Sequence, residues 1–167
     1  MLPVLTLSVA LVISVITDLR NRKIYNLVVF PGIVVAFMFQ IWFAGMSGAL
    51  EALAGFAVGL GLLLIPYLLG GMGAGDVKLL AMIGAFKGTL FVLVAAAYMA
   101  VIGAVLAMLV LICAKDSINR IKLIAFLICG LKSGVIIPID YRATFPSEAN
   151  PYGVAIAGGA FCGLLFF

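Results

Sequence analysis

The sequence contains no histidine and few charged residues. Of its 167 residues, 10% are charged and 66% are hydrophobic, and the mean hydropathy is +1.38. Without histidine, the chain has neither a Ser-His or Cys-His catalytic pair nor a zinc site with histidine ligands. A soluble domain of this length buries too little surface to hide so much apolar area. The composition therefore predicts an all-α fold, a polytopic membrane protein built as a helical bundle.

Cysteine is also sparse, with three residues far apart in the chain: Cys113, Cys129 and Cys162. No two of them form a CxxC pair, so their spacing predicts neither a four-cysteine zinc site nor a disulfide framework. The net charge of +4 comes from basic residues in short segments between apolar runs. That placement is typical of loops that orient helices in a bilayer, not of a nucleic-acid surface. We predict no metal, no cofactor and no nucleic-acid partner.

The apolar runs predict about six transmembrane helices within one membrane-embedded domain, residues 1–167. The predicted spans are 2–17, 24–44, 51–69, 77–86, 89–114 and 151–167. Segment 77–86 is short for a crossing. Segment 123–139 is assigned to the membrane surface, because Lys132 would be costly in the hydrocarbon core, although a crossing there stays open.

The basic residues predict the orientation of these helices. With six spans, nine of the ten lysines and arginines fall on one side, and the exception is Lys87. The positive-inside rule makes that side cytoplasmic and leaves both termini outside. The predicted location is the inner (cytoplasmic) membrane.

Two aspartates, Asp18 and Asp76, each border an apolar run. A carboxylate at the edge of a lipid-buried segment is costly and by default indicates function. Two such groups at one membrane face are the parts of an aspartic protease. The simpler alternatives are that Asp76 caps a helix and that Asp18 pairs with Arg20 or Arg22. A helix beginning at Val77 would favour the anion of Asp76, which makes Asp76 the preferred base and Asp18 the acid.

Three segments resemble the type IV prepilin peptidase family. Gly73–Leu79 reads Gly-Ala-Gly-Asp-Val-Lys-Leu and resembles its GxGD motif with the usual following lysine. Asp18–Asn26 is similar to the first-aspartate segment, with Tyr25 in place of the proline of Ile-Pro-Asn. Pro151–Gly153 looks like the start of the family's last helix.

The resemblance implies a membrane aspartic endopeptidase that cleaves the leader of a prepilin-like protein after a glycine, at the cytoplasmic face. It implies Asp18 and Asp76 as catalytic residues, and a site shaped by Gly73, Gly75, Lys78, Tyr152 and Gly153. The chain begins at the first span and has no CxxC, so it resembles short, peptidase-only members such as those of tight-adherence pilus systems or archaea. An N-terminal zinc or methyltransferase domain is not expected, nor is methylation of the product. The implied partners are the substrate and the lipid bilayer.

Other functions are compatible with intramembrane aspartates. A proton-coupled transporter also uses them, but usually has more helices and an internal repeat. A non-catalytic assembly subunit would be expected to have lost one aspartate. A presenilin-like protease shares GxGD, but its partner motif is a Tyr-Asp dipeptide, which this sequence lacks.

Overall fold

The computed structural model describes residues 2–21, 24–69, 71–113 and 152–166. In chain order, its helices are α1 Leu2–Asn21, α2 Asn26–Leu68, α3 Ala74–Lys87, α4 Thr89–Cys113 and α5 Tyr152–Phe166. All regular structure in these ranges is helical, which confirms the all-α prediction for this part of the chain. The predicted surface segment 123–139 lies outside the described residues.

The chain divides into two compact units, Met1–Ile102 with Ala149–Phe167, and Gly103–Glu148. The first unit holds α1, α2, α3, the start of α4, and α5, and with them every candidate site residue. Whether 1–167 acts as one domain stays a prediction.

Three described helices are long and apolar enough to cross a membrane: Leu2–Asn21, Asn26–Leu68 and Thr89–Leu106. Large apolar side chains also cover the outer surface, and Trp42 is 85% exposed. Soluble monomers rarely expose such extensive apolar area. The chain is therefore a membrane protein. The residues that the structure describes contain three candidate spans by length and composition, whereas the sequence predicted about six for the whole chain.

Helix α2 is interrupted near its middle. Its 43 residues correspond to about 65 Å at helical rise, roughly twice the hydrocarbon core. Gly45 breaks it with φ 59° and ψ −138°, a conformation that glycine adopts most easily. Before the break, Gly32 lies against Met82, and the Gln40 amide donates to the Phe86 carbonyl oxygen at 3.0 Å. This first arm, 26–44, therefore runs in the same direction as α3.

The second arm of α2, residues 46–68, runs the opposite way along α3. Gly55 lies against the backbone of Gly84, and a methyl group on Gly59 would sit 2.7 Å from the Leu80 carbonyl oxygen. Glycines at these positions let the two backbones approach closely, as small residues do between membrane helices. Because its two arms run in opposite directions along α3, α2 is a helical hairpin folded at Gly45.

Helix α3 lies at the centre of the first unit, in contact with α1, α2 and α5. Every residue from Asp76 to Phe86 is buried except Lys78, as expected for a helix that is apolar all round. The sequence predicted a start at Val77, but the helix begins at Ala74, with Gly73 as its N-cap. The predicted start is wrong by one turn, because a glycine and not the aspartate occupies the N-cap.

The far end of α3 is held by α2. Helix α3 ends at Lys87, and its C-cap Gly88, with a φ of 83°, turns the chain into α4. The Glu51 carboxylate accepts a hydrogen bond from the backbone N–H of Thr89 at 2.9 Å and so caps α4. Helix α3 is thus capped by Gly73 at its start, and the residue after its C-cap is held by Glu51 of α2.

Candidate active site

Asp18 lies on the buried face of α1. The buried positions are Leu7, Leu11, Ser14 and Asp18, spaced by three or four residues as one helix face requires. Asp18 is 7% exposed, and its Oδ2 accepts a hydrogen bond from the backbone N–H of Gly153 at 3.0 Å. Gly153 is in the first turn of α5, where backbone N–H groups have no partner within the helix. The Asp18 carboxylate, on α1, thus lies at the N-terminus of α5 and accepts a hydrogen bond there.

Asp76 lies in the first turn of α3 and is 8% exposed. Its Oδ2 accepts from the backbone N–H of Gly73 at 3.2 Å, and its own N–H donates to the Gly73 carbonyl oxygen at 3.1 Å. The side chain reaches back to the N-cap as in a capping box. Asp76 therefore has a structural role in starting α3 as well as being a candidate for catalysis.

The two carboxyl groups interact. Helices α1, α3 and α5 contact one another. Asp18 accepts the Gly153 N–H of α5 and its charge acts on Asp76 of α3, so the N-termini of α3 and α5 lie near each other. Asp76 precedes the apolar part of α3 and lies outside the candidate spans. Burial raises the pKa of Asp76 to about 6, the N–H of Gly73 acts to lower it, and the negative charge of Asp18 raises it further. The negative charge of Asp18 therefore adds to the effect of burial and disfavours ionisation of Asp76.

The predicted glycines all lie at this end of the bundle. Gly73 caps α3, and a methyl group on Gly75 would lie 2.9 Å from Cβ of Ile24. A methyl group on Gly153 would lie 2.6 Å from Oδ2 of Asp18. The last two positions exclude side chains because the neighbouring segment occupies the space. Tyr152 begins α5.

Lys78 contacts the start of α2. Its Nζ donates to Oδ1 of Asn26 at 3.1 Å and lies 5.2 Å from the centre of the Phe30 ring. Asn26 belongs to the predicted first-aspartate segment, yet no role for it follows from the sequence. The local sequence pattern cannot predict a contact between Lys78 and Asn26, because the two residues are 52 positions apart.

Within the described ranges, no three His, Cys, Asp or Glu side chains come together as a metal-binding group. No buried side-chain nitrogen or oxygen there lacks a hydrogen-bond partner. The candidate site in this part of the chain consists of two carboxyls and the backbone N–H groups that they accept.

These features define a class of protein, a membrane protein of apolar helices in which two buried aspartates each accept a backbone N–H at a helix N-terminus. The sequence profile of the type IV leader peptidase family matches residues 5–108, more than half of the chain. The chain belongs to that family, which confirms the resemblance seen in the sequence. The matched range includes Asp18, Asp76 and Lys78. No curated protein and no solved structure matches the chain significantly.

Proposed function

We propose that this protein is an aspartic endopeptidase that removes the leader from a prepilin-like protein, cutting after a glycine at the cytoplasmic membrane face. One observation carries the proposal: Asp18 and Asp76 are both buried, each accepts a backbone N–H at a helix N-terminus, and their charges interact. Membership of a leader peptidase family supports the substrate class.

The proposed chemistry divides the two carboxyls between base and acid. Ionised Asp18 takes a proton from water as the water oxygen bonds to the scissile carbonyl carbon, and protonated Asp76 donates to the carbonyl oxygen. When the C–N bond breaks, the leaving nitrogen takes the proton from Asp18, and Asp76 recovers its proton from the intermediate. No covalent enzyme intermediate is formed.

These roles reverse those that the sequence favoured. The helix dipole argues for an anionic Asp76, since the carboxylate lies in the first turn of α3. Burial and the charge of Asp18 act in the opposite direction and dominate the pKa of Asp76. We therefore assign the retained proton to Asp76. The pair still titrates as a unit.

The test uses the purified chain in detergent with a prepilin-like substrate, a basic leader followed by glycine and a long apolar helix. We expect one cut, after the glycine. We also expect a free amino terminus on the product, because the three cysteines of the sequence form no CxxC pair. Mass spectrometry reports both. Cleavage elsewhere contradicts the proposed specificity, and a gain of about 14 Da at the new terminus contradicts the absence of methylation.

We further propose six crossings in the cytoplasmic membrane, with both termini outside. Folding of α2 at Gly45 supports two crossings by that element, since each arm is about 30 Å long. The apolar part of α3 after Asp76, residues 77–86 and about 15 Å long, would cross where the bilayer is thinned. In this arrangement the aspartates face the cytoplasm, and Glu51 and Gly88 face the outside.

Reporter fusions test this topology. A reporter enzyme that is active only outside the cytoplasm should be active when fused after Phe167 and inactive when inserted near Asn119. The reason is that nine of ten basic residues then lie inside. An inactive fusion at Phe167 would contradict an outside C-terminus; with the N-terminus outside, it would mean that the number of crossings is odd.

A further inference from the structure

The next charged side chain of α3 after Asp76 is that of Lys78, which contacts another helix. The Lys78 ammonium donates to Asn26 Oδ1 at 3.1 Å and lies over the Phe30 ring, 5.2 Å from its centre. Both partners belong to the first turns of α2. The bond lies at the surface, and the two simultaneous contacts together restrict the rotamers of the Lys78 side chain.

A second contact attaches the same turn of α3 to the same segment. Gly75 lies so close to Ile24 that a methyl group there would be 2.9 Å from its Cβ. Asp76 stands between these two attachment points in the chain. The segment 24–30 follows directly on α1, which carries Asp18.

Lys78 is not a direct partner of Asp76. The charged side chain that acts on Asp76 is that of Asp18, and the hydrogen bond of Lys78 goes to Asn26. Any effect of Lys78 on the carboxyl pair is therefore transmitted through the position of the backbone.

We propose that Lys78 is a positioning residue: its bond to Asn26 holds the first turn of α3 against the segment that follows α1, and so sets where Asp76 stands relative to Asp18. The role in catalysis rests on the proposed function. The contact itself does not.

The chain offers a matched control for this proposal. Lys87 is the other lysine of α3, and its Nζ lies 5.3 Å from the centre of the Phe91 ring, at the opposite end of the helix. Replacement of either lysine by methionine removes one charge and one cation–π contact. Only Lys78→Met removes the attachment to Asn26.

We expect Lys78→Met and Asn26→Ala each to lower kcat by about tenfold to a hundredfold with little change in KM, because small misplacements of reacting groups are costly. The double variant should be no worse than either single variant, since both remove one contact. Lys78→Arg keeps a donor and a charge and should restore most of kcat. Lys87→Met should leave kcat unchanged.

Asn26→Ala distinguishes loss of the Lys78–Asn26 contact from loss of the Lys78 charge, because it removes the contact and keeps the ammonium group. A normal kcat for Asn26→Ala with a low kcat for Lys78→Met would assign Lys78 a direct electrostatic or substrate contact and overturn the proposal. Normal kcat values for both variants would also overturn it.

Hydrogen exchange gives a readout that does not depend on activity. The Gly73 and Asp76 amides bond within the first turn of α3, so a loosened turn should exchange faster. We expect faster exchange at 73–80 in Lys78→Met and Asn26→Ala, and not in Lys87→Met. Unchanged exchange overturns the positioning role, and so does faster exchange with an unchanged kcat. If the wild-type chain cleaves no leader while exchange responds as expected, the proposed function fails and the attachment stands.

Discussion

Asp18→Asn and Asp76→Asn should each abolish leader cleavage, with kcat lowered by about a thousandfold or more. The reason is that a carboxyl pair working as base and acid fails when either member is lost. Asparagine has nearly the same shape and retains an oxygen that can accept the N–H of Gly153 or Gly73, so both variants should fold. A gel assay for leader removal, with enzyme levels matched by immunoblot, measures the effect.

The double variant should be little worse than either single one, because the two residues act as a unit. Glu51→Gln is the matched control. It neutralises a carboxyl that also accepts a backbone N–H, but at the other end of α3, and it should cleave normally. Substantial cleavage by a well-folded Asp18→Asn or Asp76→Asn variant is incompatible with the proposed mechanism, and would leave Asp76 only its part in starting α3.

Gly153→Ala should lower kcat by about a hundredfold although both aspartates are retained. The added methyl group would lie 2.6 Å from Oδ2 and 3.0 Å from Cγ of Asp18, too close for either group to stay in place. The carboxylate must then turn away from the Gly153 N–H, or α5 must move. In both cases Asp18 loses its position beside Asp76. Single-turnover cleavage rates would measure the change.

Gly158→Ala, on the same helix, is the control for this substitution. Its methyl group would meet Cδ1 of Ile102 at 3.1 Å, which is the end of a flexible side chain that can rotate away. Gly158→Ala should therefore cleave at close to the wild-type rate. A wild-type rate for Gly153→Ala would show that the position of Asp18 at the N-terminus of α5 is not needed for cleavage.

Much of the site follows from local sequence. Asp18 and Asp76 each border an apolar run, and composition alone predicts apolar helices. The glycine-rich run before Asp76 marks the end of a helix. Its sequence suggests a loop up to Asp76, but Gly75 packs against Ile24, and the backbone from Ala74 onward is already helical.

The contacts that bring the site residues together could not be predicted from local sequence. The bond from Gly153 to Asp18 joins residues 135 positions apart, and Lys78 meets Asn26 only because α3 packs beside the first arm of α2. The proposed assignment of the proton also depends on contacts between helices. The helix dipole at Asp76 can be predicted from the chain, whereas burial and a neighbouring charge depend on how the helices pack.

The pH dependence of kcat/KM tests the central claim, one proton shared by two carboxyls, most directly. Asp76 must carry its proton and Asp18 must be ionised, so activity should fall on both sides of an optimum. The alkaline limb belongs to Asp76: as the pH rises through its pKa of about 6, the acid is lost and kcat/KM declines. The account predicts this bell-shaped profile for the purified wild-type chain. A value of kcat/KM that keeps rising to above about pH 8 would contradict it.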